Sequence, residues 1–544
     1  MIDCGFDAPP TVFDVAVVGY GPVGQALGAL LAGQGHRVCV VERHAQVYAL
    51  PRAFRFDGEV MRIFQRLGIA DELRQDLGEI DHVTWIGADG EPTVEIDTSS
   101  PHPSGWRRDY LFYQPALERA LDRAARSQPT LELRRGWACE RVVQHDDHVA
   151  LTIRHGSEPT PGHWVASDET AAVLARYVVG ADGAHSIVRD ASGIGQVDLG
   201  FSEDWLVVDV RPHDMARVAH LPVAAEYGDP RRPHIFVHNG TRHVRWEFML
   251  LDGDDRAAYA SDPALAWGLI EDHITPEEGE LVRQAVYQFG SVVTQTMRAG
   301  RALLAGDSAH LMPPFLGEGL CAGLRDANSL AWRLDLVLRG VAGDDLLDSY
   351  TPERRYQNRT SIGFSMLVGV LTSTLDPNEA AARDRAFRSG AHPPARVMPD
   401  IGRDGCVARP PIAPLAGERA VQGVVEVAGE TGRFDDVAGR GFVLLLGEGD
   451  PDELLEPELI AYVTDELGGV VVSLDPSVPR GVKDADGVLT AWLRVSDVAA
   501  VLIRPDAYVF GAAHQPAGAA GLVHALRQAL SDRAAGASEL GRAA

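Results

Sequence analysis

The chain has 544 residues, of which 45% are apolar and 23% charged, a composition typical of globular proteins rather than disordered or fibrous ones. At about 150 residues per domain, this length predicts two to four domains. The 50 Lys and Arg residues against 77 Asp and Glu residues give a net charge of −27, which repels phosphate backbones and anionic lipids. Nucleic acid and membranes are therefore excluded as expected partners.

Cysteine usage and the N-terminus narrow the class of protein further. The five cysteines include no C-x-x-C pair, so neither a zinc ribbon nor a dithiol redox pair is expected. No histidine pair with a nearby acid has convincing metal-ligand spacing, and we expect no metal. The N-terminus carries Asp3 and Asp7 and lacks the pattern of a signal peptide, and no apolar run is long enough to span a membrane. These features predict a soluble, cytoplasmic protein.

The first predicted unit is a strand, a glycine-rich turn, a helix and a second strand. An apolar run from Phe13 ends at Gly19, a helical pattern follows to about residues 33–35, and a strand over 37–41 ends at Glu42. The turn reads G-x-G-x-x-G, the fingerprint of dinucleotide binding. Gly19 permits the tight turn, Gly21 lets a pyrophosphate approach the backbone, and Gly24 lets the helix close on the sheet.

Glu42 indicates which dinucleotide this unit can take. A carboxylate at the end of the second strand accepts hydrogen bonds from ribose hydroxyls and repels the 2′-phosphate of NADP. The fingerprint alone therefore leaves two candidates open, NAD and the ADP half of FAD.

Two later motifs extend the pattern. A predicted strand from Tyr177 runs into Asp182-Gly183, and another from Arg301 runs into Gly306-Asp307. Pro313-Pro314 and a glycine-rich loop over 317–323 then open a long helical pattern from about Leu320 to Leu338.

Taken together, the fingerprint, Asp182-Gly183 and Gly306-Asp307 resemble the single-component flavoprotein aromatic hydroxylases, the group that contains p-hydroxybenzoate hydroxylase. The resemblance covers roughly residues 13–375 and is most similar in pattern to 3-(3-hydroxyphenyl)propionate hydroxylase and to polyketide-tailoring flavin monooxygenases. It implies an α/β fold with a Rossmann-like FAD-binding domain, an inserted antiparallel β-sheet substrate domain and a C-terminal thioredoxin-like α/β domain.

The implied domain boundaries follow shifts in the sequence pattern. The FAD-binding domain is discontinuous, at 1–194 and 291–375, and alternating apolar and polar residues over 195–290 predict the substrate-binding sheet. Prolines mark 376–415 as a linker. Predicted strands and helices then alternate through 416–544, resembling the thioredoxin-like tail of phenol hydroxylase relatives. Because the redox cysteines of thioredoxin are absent, we expect this tail to act as a scaffold or dimer surface.

The resemblance also implies which positions contact FAD. The loop over 317–323, before the long helix, would contact it through backbone atoms rather than side chains. Asp307 would bind the ribityl chain, Arg43 would lie over the adenine, and Arg189 would lie with Asp182-Gly183 between the pyrophosphate and the nicotinamide cofactor. Pro51-Arg52-Ala53 matches a further flavin-contacting segment of the family, in which Arg52 would contact the pyrophosphate or the ribityl chain. The implied cofactor contacts are Gly19, Gly21, Pro22, Val23, Gly24, Glu42, Arg43, Arg52, Gln114, Asp182, Gly183, Gly306, Asp307, Pro314, Gly319, Leu320 and Cys321.

The loop departs from the family's usual G-Q-G-x-N-x-G, because it carries Glu318 and Cys321. A carboxylate near an anionic reduced flavin opposes reduction unless it points to solvent. For the substrate pocket the predicted walls are strands near Phe236, Trp246 and Phe248, with the inward face undecided. His310 is expected to be structural, and no catalytic acid or base is assigned.

The implied function is an FAD-dependent monooxygenase that hydroxylates a phenolic or polycyclic aromatic substrate through a flavin C4a-hydroperoxide. FAD is expected to be non-covalent, NADH or NADPH to be a transient reductant, and O2 to be the co-substrate. Two alternatives remain: Baeyer–Villiger insertion on a polyketide ketone, and a flavin-dependent reductase or dehydrogenase that does not use O2. The expected partner is a small aromatic molecule, and the expected state is a monomer or homodimer.

Overall fold

The fold was analysed in a computed structural model, which describes residues 12–47, 52–160, 163–238, 240–392 and 399–531. The described chain is a mixed α/β structure of several sheets covered by helices. No helix within these ranges is both long and apolar enough to cross a lipid bilayer. The α-helices are Pro22–Gly33, Gly58–Arg66, Ala70–Leu73, Gln114–Arg126, Ile187–Ala191, Arg256–Ser261, Pro263–Ile270, Gly319–Leu338, Tyr350–Thr372, Pro377–Arg388, Phe434–Val437, Pro451–Leu454, Pro457–Ala461, Val488–Val495 and Ala519–Ser531.

The first sheet has eight strands and contains the predicted strand–helix–strand unit. Val12–Val18 is parallel to both Val38–Glu42 and His163–Gly180, and Pro22–Gly33 is the crossover helix, so this prediction is confirmed. The central strands are almost wholly apolar because helices cover both faces. In spatial order the strands are Arg298–Ala299, Ala302–Leu304, His163–Gly180, Val12–Val18, Val38–Glu42 and Leu131–Arg135. Val149–Thr160 also pairs with His163–Gly180, and Trp137–Gln144 pairs with Val149–Thr160.

The second sheet also has eight strands and is mostly antiparallel, as the alternating pattern predicts. It is not built from 195–290 alone, because the hairpin His82–Ile86 and Pro92–Asp97 pairs onto it through Ala224–Tyr227. In spatial order the strands are His310–Leu311, Gly279–Thr294, Gln196–Pro212, Val244–Met249, His234–His238, Ala224–Tyr227, His82–Ile86 and Pro92–Asp97.

The structure also contains a small three-stranded sheet. Asp109–Leu111 is its central strand, and Arg55–Asp57 and Gly78–Glu79 pair with it on either side. All three residues of Arg55–Asp57 are buried, although two of them are charged. This strand therefore brings charge into the interior.

Residues 416–531 form two further sheets and several helices. A four-stranded sheet has the order Val470–Ser473, Val443–Leu446, Ala500–Ile503 and Val509–Ala513, with the first pair parallel and the others antiparallel. A three-stranded sheet consists of Glu430–Arg433, Val424–Val427 and Lys483–Asp484.

The predicted elements in this region are found with two differences. The helix expected over 453–467 is divided, because Pro457 ends the first segment and starts the next, and the helix Val488–Val495 was not predicted. Within the expected linker, Pro377–Arg388 is a helix and Cys406 is 1% exposed. The described residues of that segment therefore include packed structure.

Candidate functional site

Three sequence motifs meet at one edge of the first sheet. The last residues of three parallel strands, Val18, Gly180 and Leu304, lie side by side in register. The chain leaves these strands at Gly19, Ala181 and Ala305, so the fingerprint, Asp182-Gly183 and Gly306-Asp307 converge although they lie far apart in sequence. In open α/β sheets this carboxyl edge is where ligands bind.

The three fingerprint glycines have different surroundings. A Cβ on Gly19 would lie 2.3 Å from the Ala181 carbonyl oxygen, and its φ of +101° also favours glycine. A Cβ on Gly24 would lie 2.0 Å from the Gly19 oxygen, which is the close approach of helix to turn. A Cβ on Gly21 would meet nothing within 4 Å. Only Gly21 therefore borders open space, where a ligand group can lie against the backbone.

The long helix Gly319–Leu338 begins at the same place. A Cβ on Gly323, in its first turns, would lie 2.6 Å from Val23 Cγ2 and 3.1 Å from the Gly306 Cα. The backbones at Gly323 and Gly306 and the side chain of Val23 are thus in direct contact. The start of this helix is packed on two of the three motifs.

The first helical residues, Gly319, Leu320 and Cys321, offer backbone N–H groups. The first helical hydrogen bond runs from the Ala322 N–H to the Glu318 oxygen, at 2.8 Å, and none is formed by the three preceding N–H groups with a described residue. Cys321 is fully buried, and its thiol donates to the Gly317 carbonyl oxygen at 3.8 Å, so the side chain does not face the cleft. Pro314, in the short turn Pro314–Leu316 before the helix, is half-buried.

Asp307 projects from the edge of the first sheet with an accessible side chain, although burial raises the pKa of its carboxyl group. These two properties coexist where a carboxylate faces a cleft enclosed by protein. The carboxylate accepts no hydrogen bond from a described residue. An acceptor in this position suits the hydroxyls of a polyol.

The Asp182 side chain bonds to the first residue of the helix Ile187–Ala191. Its Oδ2 accepts the Ile187 N–H at 2.8 Å, while its Oδ1 is buried and has no hydrogen-bond partner among the described residues. Gly183 has a φ of +81° and open space around its Cα. Arg189 does not reach the cleft, because its guanidinium donates to the carbonyls of Ala184, at 2.9 Å, and Ser308. It joins the second motif to the third.

Glu42 ends the second strand of the unit, as predicted. Its two carboxylate oxygens accept the N–H groups of Tyr20, at 2.7 Å, and His44, at 2.8 Å. These bonds fix the orientation of the carboxylate at the end of the strand, and each oxygen keeps a lone pair that can accept from a further donor. The next residue, Arg43, is exposed and bonds to the His44 ring.

Gln114 differs from its expected role as a direct cofactor contact. The amide oxygen accepts the N–H groups of Arg52, at 2.8 Å, and Ala53, at 2.6 Å, and the amide nitrogen donates to Glu118. Burial raises the pKa of Glu118 to about 7. Gln114 therefore holds the backbone that carries the exposed Arg52 side chain. Pro51 lies outside the described residues.

The structure corrects the expectation for Glu318. Its carboxylate neither points to solvent nor stands uncompensated: it is 1% exposed and accepts from Arg55 and Arg325, each at 3.0 Å. Burial raises the pKa of Glu318 and the two guanidinium groups oppose that rise. Since Arg325 lies two helical turns after Glu318, an i, i+7 pair of opposite charge was a signal available in the sequence.

Asp326 was missed by the sequence analysis and supports the third motif directly. Its Oδ2 accepts the Gly306 N–H at 3.0 Å and the His310 ring at 2.7 Å, while its Oδ1 accepts from Arg354. Burial disfavours the charge on Asp326, but Arg354 and His310 outweigh it and lower the pKa of Asp326 to about 2. His310 thus has the structural role expected of it.

The aromatic residues predicted as pocket walls, Phe236, Trp246 and Phe248, lie on the outer face of the second sheet. They belong to an apolar core that the helix Pro263–Ile270 covers, and none is more than 4% exposed. They do not line the cleft, because successive side chains of a strand point to opposite faces of the sheet and these three point to the outer face.

The inner face carries the neighbouring residues. Trp205 packs against Phe289 and against Phe315, with ring centroids 5.7 Å and 5.3 Å apart. Phe315 belongs to the turn that precedes the long helix. On the same face Arg245 bonds to the Arg52 carbonyl and pairs with Asp209. The inner face of the second sheet therefore closes over the loop at the long helix.

A cluster of possible metal ligands, Asp57, Glu318 and Cys321, lies beneath this loop, with one atom of each within 4.8 Å of the others. Both carboxylates pair with Arg325, so arginine already provides the positive charge. The arrangement is a buried ion-pair network.

These features fit FAD. Gly21 offers an open backbone approach, Asp307 and the unpartnered Asp182 Oδ1 offer acceptors in the cleft, and the N–H groups from Gly319 onward offer donors. This combination of acceptors and donors matches a ligand with both a polyol and an anionic end.

Comparison with known proteins agrees with this fit. A family model described as "FAD binding domain" matches residues 12–364. A second model, described as "HcaD C-terminal domain", matches residues 417–529.

Curated and solved relatives extend over nearly the whole chain. A "Probable NADH-specific resorcinol 4-hydroxylase" of Rhodococcus jostii is 37% identical, covering 95% of each chain. A "3-(3-hydroxy-phenyl)propionate/3-hydroxycinnamic acid hydroxylase 2" of Burkholderia vietnamiensis is 32% identical, covering 94% of this chain and 96% of the relative. The structure of aklavinone-11 hydroxylase with FAD and aklavinone is 25% identical with a TM-score of 0.75, covering 96% of this chain and 100% of that one.

The predictions of the family, of FAD as cofactor and of a hydroxylating flavoenzyme are therefore confirmed. The family match covers most of the chain, and the relatives that match it end to end are aromatic hydroxylases. This protein belongs to the FAD-binding domain family of flavin-dependent monooxygenases.

Proposed function

We propose that this protein uses NADH, O2 and non-covalently bound FAD to hydroxylate a small phenolic ring. The observation that carries the proposal is the convergence of the three motifs and the start of the long helix on one open edge. Bound FAD would supply electron transfer from the nicotinamide and activation of oxygen. NADH is favoured over NADPH because the Rhodococcus relative is named as NADH-specific.

The chain's own residues would bind and orient the cofactor. The fingerprint backbone at Gly21 and the side chain of Arg52 receive the pyrophosphate, Glu42 receives a ribose, and Asp307 receives the ribityl hydroxyls. The N–H groups of Gly319, Leu320 and Cys321, at the positive end of the long helix, stabilise negative charge that develops beside them.

The substrate would lie between the inner face of the second sheet and the loop before the long helix. Trp205, Phe289 and Phe315 provide an aromatic surface there. The same face carries Glu247, whose Oε2 is buried without a described partner, and Glu226, whose pKa burial raises to about 8. A phenolic hydroxyl is the complementary donor, and the named substrates of the curated relatives are phenols.

We also propose the division of the chain into units. The FAD unit comprises 1–194 and 291–375 except for the hairpin over 82–97, which joins the substrate sheet of 195–290. The tail from 416 is proposed to be thioredoxin-like because of the strand order in its four-stranded sheet. Numbered along the chain, these strands lie side by side in the order second, first, third and fourth, and only the second and first are parallel to each other. The described cysteines form no disulfide, which supports a reducing, cytoplasmic setting.

The decisive experiment is substrate-stimulated NADH oxidation by the purified yellow protein. With resorcinol or 3-(3-hydroxyphenyl)propionate in air, we expect faster NADH oxidation and a product heavier by one oxygen atom. A product shown by NMR to contain an inserted ring oxygen would support Baeyer–Villiger chemistry instead. Equal oxidation rates without O2 would support a reductase. Sedimentation of the same sample distinguishes monomer from homodimer.

A further inference from the structure

Among the residues that bond the tail beyond residue 415 to the interior of the FAD unit is one buried tyrosine. Tyr508 is 3% exposed and lies just before the strand Val509–Ala513. Its hydroxyl donates to Glu59 Oε1 at 2.6 Å and accepts from Gln357 Nε2 at 2.9 Å. Two bonded chains start from this hydroxyl, and each ends at a backbone segment that borders the cofactor cleft.

The first chain leads to the start of the long helix. Glu59 accepts from Arg325 Nε at 2.9 Å through its other oxygen, Oε2. Arg325 also bonds to Asp57 and donates to Glu318 at 3.0 Å. Glu318 is the residue directly before the helix whose first N–H groups face the cleft.

The second chain leads to the third motif. Gln357 accepts from Arg354, and Arg354 donates to Asp326 Oδ1 at 2.7 Å. Asp326 in turn accepts the N–H of Gly306. Gly306 is followed directly by Asp307, the acceptor that projects into the cleft.

The loop that carries Tyr508 is held firmly in place. Arg504 donates to both oxygens of Glu353, at 2.9 Å and 2.8 Å, and Glu353 also accepts from Arg333 of the long helix. Asp506 accepts from the Trp332 indole at 2.9 Å. Because Arg504, Asp506 and Glu353 are all buried, the loop cannot shift without leaving a buried charge unpaired.

We propose that Tyr508 is a positioning residue for FAD: from the tail, it sets the placement of both the long helix and Asp307 at the cleft. The inference rests on the proposed cofactor site and gives the tail a role beyond that of a passive scaffold. The hydroxyl also shares the charge of Glu59. Without it, Glu59 attracts Arg325 more strongly, and Glu318 keeps more of its negative charge beside the helix start.

The test is the variant Tyr508→Phe in the full chain, with the FAD dissociation constant and the reduction potential of bound FAD as readouts. Loss of one buried hydroxyl should weaken FAD binding about two- to tenfold. The potential should become more negative, because a less neutralised Glu318 opposes added electrons. Tyr462→Phe is the matched control: Tyr462 is also a buried tyrosine of the tail, but it belongs to neither chain.

A second variant gives a shift of opposite sign. Glu59→Gln removes a negative charge and leaves Arg325 to Asp57 and Glu318, so the potential of bound FAD should become more positive. If Tyr508→Phe does not fold, the potential of FAD bound to Glu59→Gln tests the inference instead. Unchanged affinity and potential in a folded Tyr508→Phe, equal shifts in Tyr462→Phe, or a negative shift in Glu59→Gln would each overturn the inference. Absence of FAD from the wild-type protein would instead contradict the proposed function.

Discussion

Gly306 and Asp326 are joined by a hydrogen bond of 3.0 Å from the Gly306 N–H to the Asp326 carboxylate. The bond connects the turn of the third motif to the second turn of the long helix. It explains how a strand end and a helix start keep a fixed spacing, so that Asp307 and the helical N–H groups can act on one ligand. The cleft is thus built from internal bonds as well as from glycine contacts.

The Gly21→Val variant should lose FAD while remaining folded. A Cβ at this position would meet no protein atom within 4 Å, so the valine side chain would extend into space that the pyrophosphate needs. We expect affinity to fall by at least about a hundredfold. Gly19→Ala is the contrasting variant, since its Cβ would lie 2.3 Å from a backbone oxygen and the fold itself should be destabilised. Flavin absorbance after gel filtration, with circular dichroism, separates the two outcomes. A Gly21→Val protein that purifies fully yellow would contradict the assigned turn.

The Asp307→Ala variant should bind FAD roughly ten- to a hundredfold more weakly, the loss expected for a hydrogen bond to a charged acceptor. Its fold should survive, because the side chain is accessible and bonds to no described residue. Asp307→Asn keeps an acceptor oxygen and should lose less. The measurement is FAD titration into apo-protein followed by flavin fluorescence. Equal affinities in wild type and Asp307→Ala would remove Asp307 from the cofactor site.

Neighbouring residues on one strand of the second sheet should separate substrate binding from packing. Ile235 faces inward and Phe236 outward, and both are buried. Ile235→Val and Phe236→Leu should each cost about 1 kcal/mol of stability, but only Ile235→Val should change the KM for the phenol. Urea unfolding and steady-state kinetics measure the two effects. A changed KM in Phe236→Leu with none in Ile235→Val would reverse the assignment of the faces.

Acid should destabilise the protein through Asp326. Its pKa in the fold, about 2, lies below the ordinary value of 3.8, so its ionisation stabilises the fold above about pH 4 and this contribution is lost as the pH falls toward 2. The shift corresponds to about 2 kcal/mol. Asp326→Asn should be less stable at neutral pH and show a shallower loss of stability between pH 5 and 3. Urea unfolding at several pH values tests this, and parallel curves for the two proteins would contradict it.

Local patterns predicted the parts of this protein that depend on backbone conformation. Gly19, Gly24 and Gly306 could be assigned from sequence because each turn leaves no room for a side chain. The direction of Glu318 could not, since its partner Arg55 comes from a strand 263 residues earlier. For Phe236 the alternation showed two faces, but it could not show which of them the helix Pro263–Ile270 covers.

The hairpin His82–Asp97 is synthesised well before the strand with which it pairs. Its partner strand, Ala224–Tyr227, leaves the ribosome only after more than a hundred further residues, on the order of ten seconds later. During that interval the edge of the hairpin has unpaired N–H and C=O groups, which can join other chains. Occupancy of this edge by a chaperone, or a pause in translation before residue 224, would therefore affect the yield of folded enzyme without altering any contact in the finished molecule.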